Sequence, residues 1–389
     1  MPGSILPGTM LGVLGGGQLG AMFAMAARRL GYRVAVWDPD PDAPAHTIAD
    51  RSFSSPFTDC DALQQFENIV SAVTYEWENI PVSVAEALEQ SVPVRPGSNI
   101  LRVLQNRLDH KTFLAERGFP VAPFLAVPHP KELTDTAAVI GFPCLCKAAT
   151  AGYDGKGQWR LSSASEAASL QERLTQSASS NDRWIIEQFL GFTKELSVLI
   201  VRAANGDRRI YPVAENVHEA GILRTTLVPA SIDPVIAERA QAIAIAAIEA
   251  LTGVGVFCVE LFVMPDNALV INEIAPRPHN SGHYTLDACT ISQFEQQVRA
   301  LCGLPLGEVR LLSPAAMINL IGEDLMRVRS EEALIALLGV PGSKLHVYGK
   351  KSVRPGRKMG HVTFLTEQAG RALEYVMSLQ QSLSGVKES

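Results

Sequence analysis

Twelve residues, Asn272 to His283, hold a carboxylate (Glu273), an amide, a guanidinium (Arg277) and two imidazoles (His279, His283). A strand-like run at 256–264 precedes them and carries a second acid, Glu260. Between the two, Pro265-Asp266-Asn267 has the composition of a hairpin turn. Folding the chain back about Asp266 sets Glu260 opposite Asn272 or Glu273, about 5 Å away. Half-buried carboxylates at that range repel unless they are protonated, paired with cations or bridged by a metal. An oxygen-only pair with an amide beside it suits Mg²⁺, which keeps waters and takes phosphate oxygens as further ligands. The plainer alternative is two solvated strand acids.

Three other segments have chemical potential. Gly15-Gly16-Gly17-Gln18-Leu19-Gly20 fits G-x-G-x-x-G between a strand and a helix, and Asp38 follows at the end of the next strand. That spacing is the template of a dinucleotide site, with phosphate on a helix N-terminus and the acid on a ribose. The same glycines also serve tight strand-to-helix packing. Gly152-Tyr153-Asp154-Gly155-Lys156-Gly157-Gln158 lacks the Ser/Thr of a P-loop and is flanked by strands, so it reads as a flap over phosphates or as a plain hairpin. Lys147, on the strand before it, reaches toward the same phosphates. Residues 350–358 hold five cations around Pro355-Gly356, which suits a phosphate pocket or a solvated basic turn.

The elements that must position these groups follow from pattern. Strands are expected at 10–14, 33–37 and 69–74, with helices at 21–30 and 82–90 and a short strand at 92–94, which together make a parallel α/β unit. The middle region reads as strands at 142–147, from 159, 183–187 and 195–202, with a helix at 163–176. Asp233-Pro234 opens a long alanine-rich helix that Gly253 stops. A helix near 291–301, a strand near 315–321 and the basic segment 348–361 complete the chain.

With 389 residues, 47% hydrophobic and 19% charged, the chain supports two or three domains with ample core. Its net charge of −6 argues against wrapping nucleic acid. The six cysteines are scattered, and the Cys144-x-Cys146 pair has no second pair for zinc, which fits a reducing compartment. No apolar run is long enough for a membrane span and no secretory leader is evident, so a cytoplasmic location is expected.

Together the motifs resemble one family. The chain is similar to the ATP-grasp superfamily and, within it, to the N5-carboxyaminoimidazole ribonucleotide synthetases of purine biosynthesis. The matching segments are GGGQLG (15–20), TYEWENIP (74–81), QNRLDHK (105–111), AGYDGKGQW (151–159), IIEQF (185–189) with Glu195, YPVAENVHEAGILRTT (211–226), NEIAPRPHNSGHYT (272–285) and VRPGRKMGH (353–361). The resemblance implies an α/β protein (α+β in its ATP-binding part). Its parts would be a Rossmann-like parallel-sheet domain at 1–110, an ATP-grasp domain at 111–305 with a flap subdomain at about 147–200, and a small β-rich C-terminal domain at 306–389. It implies an ATP-dependent carbon–nitrogen ligase joining bicarbonate to 5-aminoimidazole ribonucleotide through carboxyphosphate. A related ligase, such as a formate-dependent glycinamide ribonucleotide transformylase, is the alternative. The nicotinamide reading of the glycine motif drops out, because in this superfamily that domain serves the second substrate.

The resemblance also implies site roles. Arg107, Lys147, Gly152, Tyr153, Asp154, Gly155, Lys156, Gly157, Gln158, Glu187, Gln188, Phe189, Leu190, Glu195, His218, Asn272 and Glu273 would bind ATP. Glu260 and Glu273 would hold Mg²⁺. Arg277, His279 and Lys350 would surround bicarbonate, with Lys351 competing for the position of Lys350. Gln18, Leu19, Glu76, Tyr153, Asp154, Arg354, Arg357 and Lys358 would meet the ribonucleotide. A homodimer and a separate mutase that takes the product are expected by analogy. Two segments depart from the family pattern: Ala21 stands where arginine is common, and 148–151 is apolar where the family is basic.

Overall fold

The computed structural model describes residues 3–150, 157–177 and 182–384. Its N-terminal part is a parallel four-stranded sheet ordered Arg51–Phe53, Arg33–Trp37, Met10–Leu14, Ala72–Tyr75. Every residue of Met10–Leu14 is buried, as a strand covered on both faces requires. The helix that follows spans Gln18–Arg29 and so begins three residues earlier than expected. Its Phe23 and Ala24 share a core with Phe294, Val298 and Leu301 of the helix Gln293–Cys302, so a late segment closes the first sheet. The strand expected at 69–74 is Ala72–Tyr75, because the Ile69 N–H closes the preceding helix onto Phe66 O. The short strand expected at 92–94 reduces to one bridge, Val73 to Val94.

A nine-stranded sheet forms the centre. Its order is Leu269–Ala275, Gly255–Val263, Lys194–Arg202, Ala214–Glu219, Ile222–Val228, Ala315–Ile321, Lys358–Leu365, Ser343–Val347, with Arg208–Ile210 on Lys194–Arg202. The C-terminal strands therefore continue the central sheet, through Ala315–Ile321 paired to Ile222–Val228. The alanine-rich helix runs Pro234–Leu251, with Asp233 capping the Val235 N–H at 2.8 Å. It ends in the left-handed Thr252 (φ 55°) rather than at Gly253. Gly253 is needed for contact instead: a Cβ there would lie 2.4 Å from the Phe257 ring.

A third, antiparallel sheet is ordered Phe124–Val127, Trp184–Gln188, Cys144–Ala148, Gln158–Leu161. Helices Leu133–Ile140 and Ala164–Ser177 bury Leu133, Ala137, Leu170 and Leu174 against it. No helix among the described residues is long and apolar enough to cross a membrane.

Candidate active site

A cleft of 830 Å³ opens where the parallel sheet, the third sheet and the central sheet meet. The acidic hairpin lies in it. Its turn is as the sequence suggests, with Asn267 in the left-handed region at φ 63° and Asn267 N–H donating to Met264 O. Glu260 pairs directly with Glu273, and the register slips after Glu260 so that Leu261 faces Ile271. Asn272 is the extra residue of this bulge, which brings it toward the same face. Its Nδ2 donates to Glu260 Oε2 at 3.3 Å. The other oxygen, Oε1, lies 3.1 Å from His279 Nε2.

The two acids differ in charge behaviour. Burial works against ionising Glu260, but His279, His218 and Asn272 outweigh it and hold its pKa at about 2. Burial and then the Glu260 charge push Glu273 above the ordinary carboxylate range. A divalent cation between them relieves that repulsion, and the oxygen-only donor set fits Mg²⁺. Among the described residues no three or more His, Cys, Asp or Glu side chains are grouped to hold a metal alone. An ion here would complete its shell with phosphate oxygens and water. His279 departs from the usual behaviour of histidine. Burial works to lower its pKa, but Cys258 and Glu260 beside it raise it above the ordinary histidine range.

One side of the cleft is built on the third sheet. Lys147 Nζ donates to Glu187 Oε2 at 3.0 Å, and Lys111 Nζ lies 3.5 Å from the same oxygen. Two buried ammonium groups thus share one carboxylate and leave a net positive charge. Glu187 Oε1 has no hydrogen-bond partner among the described residues. Arg107 Nη1 donates to Ala148 O at 2.9 Å, and His218 Nδ1 pairs with Glu195. Phe192 and Phe262 stack with ring centroids 4.2 Å apart and planes within 3°. Gln158, Gln188, Phe189 and Leu190 border the same space. Gly152 to Lys156 lie outside the described residues. Gly157 does not border the cleft; its carbonyl accepts from Ala148 N at 2.8 Å.

The glycine loop is already occupied from within. Gly16 N–H donates to Asp38 Oδ2 at 2.5 Å, and Gly17 and Gly20 N–H donate to the two oxygens of Glu76 at 2.9 Å each. A Cβ on Gly15 would lie 2.6 Å from Glu76 Cγ, so this glycine admits the acid rather than a cofactor phosphate. The other oxygen of Asp38 accepts from Asp40 N–H, so both oxygens are engaged within this segment. Burial raises the pKa of Glu76, and its like-charged neighbour Asp38 adds to this against the two N–H donors. Gln18, Leu19 and Glu76 border the cleft, although the Leu19 side chain belongs to the core of the first sheet.

Arg277 is gripped by Glu78 through Nε and, at 2.8 Å, through Nη2. Burial opposes ionisation of Glu78, but the guanidinium outweighs it and holds the acid below the ordinary range. Lys350 borders the cleft with Nζ donating to Lys358 O at 2.8 Å, whereas Lys351 is exposed and pairs with Asp42. Arg354, Arg357 and Lys358 border it too, and Arg357 Nη1 donates to Ser352 O at 2.9 Å. Glu78 and Lys111 were not given roles from sequence, although both lie inside the TYEWENIP and QNRLDHK segments. Each of the two departures includes a packed alanine. Ala21 packs in the first core at 6% exposure, and Ala149 is 2% exposed with its N–H on Arg183 O, so neither has room for a long basic side chain.

A glycine-loop sheet, an antiparallel sheet carrying a buried lysine and a bulged acidic hairpin around one cleft define an ATP-grasp enzyme. Residues 112–294 match the ATP-grasp domain family, 9–105 the ribonucleotide synthetase preATP-grasp domain, and 315–375 the phosphoribosylaminoimidazole carboxylase C-terminal domain. The N5-carboxyaminoimidazole ribonucleotide synthase of Bacillus subtilis strain 168 is 40% identical over 366 residues, covering 93% of each chain. The ADP complex of an N5-carboxyaminoimidazole ribonucleotide synthetase superposes with a TM-score of 0.91 at 40% identity, covering 98% of each chain. The Aspergillus clavatus N5-carboxyaminoimidazole synthase, in complex with ADP and 5-aminoimidazole ribonucleotide, gives 0.86 at 30% identity, covering 97% of this chain and 99% of that one. The chain belongs to the N5-carboxyaminoimidazole ribonucleotide synthase family.

Proposed function

We propose that the cleft cleaves ATP to carboxylate the exocyclic amine of 5-aminoimidazole ribonucleotide with bicarbonate, giving the N5-carbamate, ADP and phosphate. One observation carries this reading: the bulged pairing of Glu260 with Glu273 in the cleft that also holds Lys147, Lys111 and Arg277. Phosphoryl transfer needs positioning and charge neutralisation more than covalent help. Mg²⁺, held by Glu260 and Glu273, would supply charge neutralisation at the phosphates. Lys147 and Lys111 add fixed positive potential on the nucleotide side. Adenine lies along Gln188 to Leu190, and Phe192 and Phe262 wall it.

Bicarbonate is a small anion and a weak nucleophile. Arg277, its guanidinium fixed by Glu78, orients it toward the γ-phosphate. Lys350 neutralises the carboxylated centre, and His279 manages a proton there. Arg354, Arg357 and Lys358 take the ribonucleotide phosphate as forks and point charges. Carboxyphosphate is captured directly or as released CO₂, and exclusion of water protects it. The carbamate passes to a separate mutase, and the enzyme acts as a homodimer in the cytoplasm.

The decisive assay is ADP release with bicarbonate, with and without 5-aminoimidazole ribonucleotide. Release that depends on both supports the reading; release driven by formate or an amino acid instead would replace it with another ATP-grasp ligase.

A further inference from the structure

Beneath the cleft a continuous chain of hydrogen bonds ends on His279. Thr226 Oγ1 donates to Asn216 Oδ1 at 3.0 Å, and Asn216 Nδ2 donates to Ser197 Oγ at 2.9 Å. Ser197 Oγ donates to Ser281 Oγ at 2.8 Å, and Ser281 Oγ lies 2.8 Å from His279 Nδ1. The Ser281 backbone N–H is 3.3 Å from the same ring nitrogen. Thr226, Asn216 and Ser197 come from three neighbouring strands of the central sheet. Exposure is 0% at Ser281, 1% at Ser197 and Thr226, and 5% at Asn216.

Polar groups so deep in a sheet cost desolvation, and a network of them is tolerated only when satisfied throughout. This one is satisfied, and it leads somewhere: to the imidazole whose opposite nitrogen, Nε2, faces Glu260 in the cleft. The donor order matters. Asn216 and Ser197 each spend their proton toward Ser281, so the Ser281 hydroxyl keeps its own proton for Nδ1. The Ser281 backbone N–H donates to the same nitrogen, so Nδ1 is held as an acceptor by two donors. The ring is therefore gripped through Nδ1, with Nε2 turned to Glu260.

We propose that Ser281, backed by Ser197 and Asn216, is the positioning residue that fixes the His279 ring plane and presents Nε2 to the reacting carboxyl group. The inference rests on the place of His279 in the proposed carboxylation. It assigns no contact between Ser281 and substrate.

The test is a double-mutant cycle read by steady-state ADP release and carbamate formation at saturating bicarbonate, with thermal melting as the folding control. Ser281→Ala should lower kcat about 10- to 100-fold, the scale of a misplaced reacting group, and leave KM for ATP within about two-fold. Ser281→Thr, which retains a hydroxyl, should recover most of the loss. In a His279→Ala background Ser281→Ala should add nothing, because its effect passes through the ring. Should Ser281→Ala melt too early for kinetics, Ser197→Ala carries the same comparison one link further back. Wild-type kcat in Ser281→Ala, or an equal loss with His279 already removed, would overturn the proposal. Normal turnover in His279→Ala alone would instead remove the reading on which it rests.

Discussion

Glu187→Gln measures what one buried carboxylate contributes to the fold. Glu187 is 3% exposed, and its Oε2 lies 3.0 Å from Lys147 Nζ and 3.5 Å from Lys111 Nζ. Burial alone would raise its pKa, but the two ammonium groups outweigh it and hold the value at about 2, against 4.5 in the unfolded chain. At about 1.4 kcal/mol per pH unit, that displacement makes the ionised carboxylate worth about 3 kcal/mol to folding near neutrality. The amide loses this and strands two buried cations, a situation that costs about 3–5 kcal/mol in general. The folded-state pKa lies below the unfolded one, so the contribution is complete above about pH 4.5 and vanishes as the pH falls through about 2. Urea unfolding of both proteins without nucleotide, from about pH 7 down to about pH 3, reads this directly. The wild-type advantage should be about 3 kcal/mol at neutral pH and narrow on the acid side. A gap below about 1 kcal/mol at neutrality, or one that does not change with pH, would refute the assignment of charge to this triad.

Three further outcomes follow from the site. Glu273→Gln removes the reluctant member of the acid pair, so the protein without metal should melt at or above the wild-type temperature while turnover at any Mg²⁺ concentration is lost; normal turnover would contradict the cation site. Arg277→Ala alone abandons the buried Glu78 at a cost of about 3–5 kcal/mol, so activity is better read in Arg277→Ala/Glu78→Gln, which should fold and still show no aminoimidazole-dependent ADP release. Titration with NAD(P)H, followed by fluorescence, should show no binding, because Asp38 and Glu76 already occupy the loop amides; saturable quenching would restore the dinucleotide reading.

The hairpin was legible because its information is local. Pro265-Asp266-Asn267 sets the turn, and the turn sets which residues face one another across it. Only the bulge was hidden: alternation alone left Asn272 and Glu273 as rivals for the place opposite Glu260, and the slip at Leu261 lets both reach it. Long-range partners were the illegible part. Glu78 and Arg277 are 199 residues apart and Lys147 and Glu187 are 40 apart, so no periodicity links them. Likewise the sequence pattern could not tell Lys350 from Lys351; Asp42, in the turn after Arg33–Trp37, draws the second away from the cleft.

The glycine motif shows how one local pattern can support opposite chemistry. Strand, glycine turn and helix N-terminus make an anion seat wherever they occur, because several backbone N–H groups converge there. In a dinucleotide enzyme the anion is a pyrophosphate from solution. Here it is two side-chain carboxylates supplied by neighbouring strand ends, Asp38 after Arg33–Trp37 and Glu76 after Ala72–Tyr75. The seat is thereby turned from a ligand site into a clamp that holds the residues 76–79 against the cleft. Glu78, two residues beyond the clamped Glu76, then meets Arg277 from the acidic hairpin. The glycines thus act on Arg277 at one remove: they fix the segment that fixes the guanidinium. Substituting Gly17, where a Cβ would lie 2.8 Å from Glu76 Oε1, should consequently disturb the Arg277 side of the cleft before it disturbs the nucleotide side, raising KM for bicarbonate more than KM for ATP. Equal effects on both would mean that the loop serves only the packing of its own sheet.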